Sequence, residues 1–408
     1  MMNQIWAGMI ILGILGGVIT CFGDPAGNAL SVMMQDFLKS AETATEIVIG
    51  LMGMMCFWLG ISRIMDSAGL TEKLAALLTP LFRVIMPEIP KGHPATGSIA
   101  MNMAANMLGL DNAATPLGLR AMKELETLNK TPGTATNAEI MFLVINTSSV
   151  TIFPVSVFLY RSKFGAADPV DVFLPILIAT SCSTLAGFLA AALFQKINIL
   201  KLPVLLALGG LLGLVAGVFV WSLYAGASLA SQASYAANGC VLLFIGGLLA
   251  YGLLKRVPVY EEFIKGAKEG FRVCIDILPY LVAMLTAIAF LRAGGVLPLL
   301  LSGIKKLFEG LGTGTDFVDA LPVAFMHPFS GSGARALMLD TFNTFGVDSL
   351  TGHIAAVMQG STETTFYVLA VYFGSVGITR VRHAVTCGLI ADFTAMVAAI
   401  VAGMLFFG

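Results

Sequence analysis

Nine stretches of the chain stay apolar for long enough to cross a hydrocarbon core, which takes about 20 helical residues. They run approximately over 5–22, 46–64, 138–161, 171–195, 203–224, 238–254, 271–291, 351–376 and 384–407. Two other stretches, 97–126 and 319–343, are Gly-rich and half polar, too interrupted for ordinary spans. Each follows a short amphipathic piece, 70–86 or 296–309, whose lone charges suit a helix lying at the membrane interface. The pattern predicts an all-α polytopic membrane protein with about nine transmembrane helices, two re-entrant hairpins and two interfacial helices.

The irregular segments come in matching places, which reads as an internal repeat. D-S-A-G-L-T-E-K-L-A-A-L-L-T-P-L-F from Asp66 lies without a gap over R-A-G-G-V-L-P-L-L-L-S-G-I-K-K-L-F from Arg292. Further on, E-I-M-F-L-V-I-N-T-S-S-V-T-I-F from Glu139 lies over H-I-A-A-V-M-Q-G-S-T-E-T-T-F-Y from His353. If the hairpins enter and leave on one face, five spans separate residue 46 from residue 271. Five is odd, so the repeats are expected to be inverted. Of the 23 Lys and Arg residues, 16 then fall on the side of the N-terminus and 7 on the other. That bias puts the N-terminus in the cytoplasm and the C-terminus outside.

Composition narrows the classes. Apolar residues make up 57% of the chain and charged residues 12%, which excludes an ordinary water-soluble fold. A net charge of -1 without any basic run excludes nucleic acid as a partner, because that needs a concentrated cationic face. The six cysteines are scattered singly and read as packing residues; no spacing suggests a resident metal or cofactor. F-S-G-S-G lacks the first glycine of G-x-S-x-G and no H-E-x-x-H is present, so no enzyme is expected.

Candidate chemistry sits where helices break, because backbone within lipid can unwind only where it lines a wet cavity or holds a ligand. In the first hairpin Asn102 and Asn106 lie one turn apart, and Gly109 to Pro116, with Asp111 and Asn112, makes the tip. In the second, His327 to Arg335 makes the tip, where Ser330, Ser332 and the glycines can present backbone N–H groups to an anion beside Arg335. The broken spans carry Asn146, Thr147, Ser148 and Ser149, and Gln359, Ser361, Thr362, Glu363 and Thr364. The plainer alternatives are helix-internal hydroxyl bonds, asparagines joining helices, and an Arg335 that snorkels outward. Glu363 and Asp392 are the intramembrane carboxylates best placed to couple to an ion. Asp276 reads as a cap or an ion-pair partner near a membrane face, and His327 as a turn residue. Carbonyls freed near Asn146, Ser148 and Gln359 also suit Na+.

On these residues the chain resembles a known family. G-L-D-N-A-A-T-P-L-G-L-R-A-M with I-N-T-S-S-V-T is similar to the spore maturation A proteins. P-F-S-G-S-G-A-R with G-S-T-E-T-T-F-Y-V-L-A-V-Y-F-G is similar to the spore maturation B proteins. The resemblance divides the chain into an A-like half, 1–200, with one repeat over 46–195, and a B-like half, 201–408, with the other over 271–407. Both resemble nucleoside-recognition, or Gate, domains, which are similar to concentrative nucleoside transporters. The resemblance implies hairpins and broken helices around a central site and a nucleoside-like substrate class. The concentrative transporters' G-Q-T-E and N-E-F motifs are replaced here by S-T-E at Ser361 to Glu363 and by nothing, so an anionic solute fits equally well. The expected protein is a secondary transporter of a small polar or anionic solute, coupled to H+ or Na+, in lipid and free to form a homo-oligomer. The alternative is an envelope or spore-maturation assembly factor that uses the same fold without transport.

Overall fold

A computed structural model describes residues 2–21, 28–108, 111–310 and 314–408; among these the side chains of Met2, Cys21, Asn28, Ala29, residues 111–113 and Ala227 are not described. The described chain is almost entirely helical. The first half holds α1 (Met2–Cys21), α2 (Asn28–Ser67), α3 (Leu70–Ile85), α4 (Pro94–Met107), α5 (Asp111–Glu126), α6 (Asn137–Thr147), α7 (Val155–Lys163) and α8 (Phe173–Gln195). Two helices, α9 (Leu202–Ala225) and α10 (Leu229–Leu254), lead into the second half. There follow α11 (Val259–Ala293), α12 (Val296–Gly310), α13 (Leu321–Met326), α14 (Gly331–Phe345), α15 (Leu350–Gly360), α16 (Thr365–Val368), a π-helical turn over Leu369–Phe373, and α17 (Ala384–Phe407). Seven described helices are long and apolar enough to cross a membrane. The pairs α6–α7 and α15–α16 are the two broken spans, and together these make the nine segments expected.

The repeat is visible in local chemistry. Gly69 before α3 and Gly295 before α12 both have φ +74°, a left-handed turn that glycine takes without a Cβ penalty, so each long span bends onto its amphipathic helix in the same way. Thr136 caps α6 by accepting from the Glu139 N–H, and Ser349 caps α15 by accepting from the Gly352 N–H. Both capped helices run 11 residues before breaking. The caps correct the second sequence alignment by one position: Asn146 corresponds to Gln359, not to Gly360.

Helix direction shows the inversion. The α2–α11 seam is antiparallel: Gly266 packs on the Leu59 carbonyl, Gly270 on Met55 and Cys56, and Gly60 on Phe263. Without side chains there, the two backbones approach closely, which is how helices associate in lipid. The α8–α17 seam is antiparallel too, with the Ser183 hydroxyl donating to the Ala391 carbonyl at 3.2 Å and Gln195 meeting His383 near the other end. On α17 the small residues Ala384, Gly388, Ala391, Ala395, Ala399 and Gly403 lie buried along one face. By contrast α9 is buried at only two positions, Val204 and Ser222, and presents a lipid-facing surface.

Two expectations needed revision. The helix predicted over 46–64 extends over 40 residues as α2, and that over 271–291 over 35 residues as α11. Each continues through a polar segment outside the apolar window, because the two long helices support one another along their whole seam.

Candidate functional site

Each hairpin pairs two antiparallel helices. In the first, α4 and α5 have 14 and 16 residues, about 21 and 24 Å long at 1.5 Å per residue, short of a hydrocarbon core of about 30 Å. The second is shorter still in its first arm, the six residues of α13.

Each hairpin end is tied to the break in its own repeat by one main-chain hydrogen bond. The Ile152 N–H donates to the Met107 carbonyl at 2.9 Å, and the Phe366 N–H donates to the Pro328 carbonyl at 2.9 Å. The breaks then meet each other: the Glu363 N–H donates to the Thr147 carbonyl at 2.7 Å. A helix break leaves such groups without intrahelical partners; here the opposite repeat supplies one.

Side chains build two clusters around that junction. In the first repeat, buried Asn102 donates to the Ala114 carbonyl and accepts from buried Asn146, both at 2.7 Å. The Tyr372 ring, from the second repeat's π-helical turn, stacks on Phe142 with centroids 5.7 Å apart and turns its hydroxyl toward both asparagines. Gly118 packs against that hydroxyl, where a Cβ would collide. In the second repeat, His327 lies between the break's Gln359 carbonyl, 3.2 Å from Nε2, and the Thr362 hydroxyl, 3.1 Å from Nδ1. Both repeats thus use a hairpin side chain to hold the broken span, an asparagine in one and a histidine in the other.

The remaining candidates divide. Thr147, Ser148 and Ser149 are buried; the Thr147 and Ser148 hydroxyls return to the Val144 carbonyl, as helix-internal hydroxyls do, and the Ser148 carbonyl accepts from Thr184. Ser330 caps α14 by accepting from the Gly333 N–H at 3.0 Å and lies 3.2 Å from Ser332, so part of the expected anion nest is filled by the protein's own hydroxyl. Ser361 donates to the Met358 carbonyl and Thr364 is buried. Arg335 does not snorkel: it is half-buried, with its guanidinium 5.5 Å from the centre of the Tyr160 ring. Asn106 is half-buried, with its amide nitrogen unpartnered. Asp111 and Asn112 carry side chains outside the described residues. Glu363 is exposed, against the expectation of a buried carboxylate, and lies within electrostatic reach of Tyr372. Asp392 sits on α17 facing the second break, beside His327, Ser361 and Thr362.

Sequence reasoning set His327 aside and did not consider Tyr372. Its signal for His327 was present but weak, a lone histidine before proline. Tyr372 carried none, being one of eight tyrosines in an apolar run. Also unforeseen is Arg161, fully buried at the end of α7. It reaches Asp171 at 2.9 Å, Asp348 and His353 at 3.2 Å, and the Val347 and Asp168 carbonyls. Asp171, Asp348 and His353 lie close enough to hold a metal ion, but the guanidinium already supplies the cation there.

The fold and site define a polytopic membrane protein made of two inverted repeats, each with a hairpin and a broken helix, that meet at their breaks. The family named Gate and described as nucleoside recognition matches residues 48–166 and 274–379, one match per repeat, and the chain belongs to it. Both matches end before α8 and α17. The chain is 43% identical over 166 residues to spore maturation protein B of Bacillus subtilis (strain 168), covering 41% of this chain and 92% of that protein. It is 34% identical over 189 residues to spore maturation protein A of the same organism, covering 46% of this chain and 93% of that protein. Two separate proteins are thus each matched nearly end to end, consistent with a fusion of both.

Proposed function

We propose that this protein is a cation-coupled secondary transporter of a small polar or anionic solute, nucleoside-like molecules included, which binds where the two repeats meet. The observation that carries the reading is the hydrogen bond from the Glu363 N–H to the Thr147 carbonyl, which joins the unwound segments of opposite repeats. Broken helices at corresponding positions of inverted repeats are how secondary transporters bring helix ends to a solute near mid-membrane. Asn102, Asn146 and Tyr372 form one wall of this site and His327, Gln359 and Thr362 the other, with Glu363 and Arg335 as its charged groups. The A-like half, 1–200, supplies both asparagines, and the B-like half, 201–408, supplies Tyr372 and the whole of the second wall. The membrane is the bacterial inner membrane, with the N-terminus cytoplasmic and the C-terminus outside, on the distribution of Lys and Arg.

The test is uptake of radiolabelled nucleosides and small organic anions into proteoliposomes under imposed H+ or Na+ gradients. Wild type accumulates at least one of them, and Glu363→Gln or Asn146→Ala lowers accumulation at least tenfold. Absence of accumulation for every probe under both gradients overturns the reading. It would favour a second one, an envelope or spore-maturation assembly factor, a reading that draws on the similarity to two spore maturation proteins.

A further inference from the structure

A small cavity of about 10 Å³ lies between α17 and the second break, lined by Ala324, His327, Pro328, Met358, Ser361, Thr362, Asp392 and Met396. That is room for a single water molecule. Both carboxylate oxygens of Asp392 are sealed from solvent, and neither has a hydrogen-bond partner within ordinary distance. Buried polar atoms are nearly always satisfied, so an orphaned pair on one carboxylate calls for an explanation.

Counting hydrogens on the cavity wall supplies one. The Gln359 carbonyl can only accept, so His327 Nε2 carries a hydrogen and donates to it. In the neutral imidazole Nδ1 then accepts, and the Thr362 hydroxyl spends its hydrogen on it. The Ser361 hydroxyl spends its hydrogen on the Met358 carbonyl at 2.7 Å. All three hydrogens point away from Asp392, and what faces the cavity from these groups is lone pairs. Among the described residues only the Thr365 hydroxyl, itself unpartnered, remains as a donor toward Asp392, and one hydroxyl cannot serve two carboxylate oxygens. The other titratable groups on the elements packed against α17 include Glu139 on α6, Cys182 on α8, His353 on α15 and Tyr367 on α16, and none bonds or ion-pairs with Asp392. An ionised carboxylate would therefore face acceptors, in a site with room for one water and without a counter-cation.

We propose that Asp392 stores one proton in this conformation, held through the one-water cavity against Thr362 and Ser361, and that His327, Thr362 and Asp392 form the path by which the proton enters and leaves. The bookkeeping closes in two arrangements with the same total charge. In one, Asp392 carries the proton and His327 is neutral. In the other, Nδ1 of His327 carries it and donates to the Thr362 oxygen, while Thr362 turns its hydrogen toward the ionised Asp392. Moving between them needs only a shift of hydrogens along the chain. With the proton gone, the ionised Asp392 would draw the Thr362 hydrogen away from Nδ1 of His327, and of the two bonds by which His327 holds the break only the one to the Gln359 carbonyl would remain. That coupling rests on the transporter reading; proton storage itself does not.

The experiment is infrared difference spectroscopy of the full-length protein in nanodiscs at neutral pH with no solute present. Wild type is expected to show the C=O stretch of a protonated carboxyl, lost in Asp392→Asn, shifted in frequency in Thr362→Val and unchanged in Asp276→Asn. If Asp392→Asn does not fold, the shift in Thr362→Val decides alone, and an unmoved band overturns the proposal. So does a wild type spectrum identical to that of Asp392→Asn, or a band that disappears when K+ is replaced by Na+, which would make the site a sodium site. Because the band reads proton occupancy without transport, it can be present in a protein that carries no solute. Its absence from a protein that does transport sinks this assignment and leaves the transporter standing.

Discussion

Arg161 gives the sharpest test of how the two repeats are held together at the end of the molecule where α7 meets α15. Its side chain is fully buried, whereas Asp171 is 15% exposed and Asp348 42% exposed. Replacing Arg161 with Met keeps most of the volume but removes the cation from Asp171 and the donors from the Val347 and Asp168 carbonyls. Removing one partner of a buried ion pair costs about 3–5 kcal/mol, because the remaining charge stays desolvated. The Asp348 pair is half in water and screened, so Asp348→Asn is expected to cost less than about 1 kcal/mol. The double variant Arg161→Met with Asp171→Asn leaves only the solvent-screened Asp348 charge without its partner and should recover at least about 1 kcal/mol of the single loss. Reversible unfolding in mixed micelles, followed for these three variants, Asp171→Asn and wild type, gives the cycle. If Arg161→Met costs no more than Asp348→Asn, or if the Arg161 and Asp171 substitutions simply add, Arg161 is not the tie between the repeats.

Other outcomes follow from the same packing. Gly270→Val would push a side chain into Met55 and Cys56, whose nearest atoms are backbone at 2.7–2.8 Å from the added Cβ, and should cost about 1–3 kcal/mol, while Gly217→Val on lipid-facing α9 should cost almost nothing; the same unfolding assay reads both. Asn146→Ala strips Asn102 Oδ1 of its donor and should lose about 0.6–1.7 kcal/mol, the range measured for polar contacts in membranes, with Asn102→Ala adding less than its own single loss. With the native cysteines removed, Asn106→Cys and Ser332→Cys, one in each hairpin, should react with membrane-impermeant thiol reagents added from opposite sides; labelling of both from one side would contradict the inversion.

Much of the architecture was legible because it is written in local patterns. Lipid rewards helices apolar all round, so the windows of α1, α8, α9 and α17 were plain in sequence. Short signals such as Gly69, Gly295, Thr136 and Ser349 act on their own neighbours and set where helices start. The polar breaks at Asn146 to Thr151 and Gln359 to Thr365 stood out because apolar surroundings make short polar clusters conspicuous. Even the inversion followed from counting spans, since each crossing reverses direction.

Tertiary structure decided what depends on distant partners. Asn146 meets Asn102 across 44 residues, Arg161 meets His353 across 192, and His327 meets Thr362 across 35. No periodicity carries such distances. Glu363 looked buried because its polar cluster interrupts an apolar span, yet its side chain is exposed. Asp392 looked like one of several intramembrane carboxylates, and only the tertiary structure shows that His327, Thr362 and Ser361 beside it have spent their hydrogens elsewhere. The chain specified its helices through their preference for lipid. The site exists only because two inverted repeats bring their broken ends to the same place, where each satisfies groups the other leaves open.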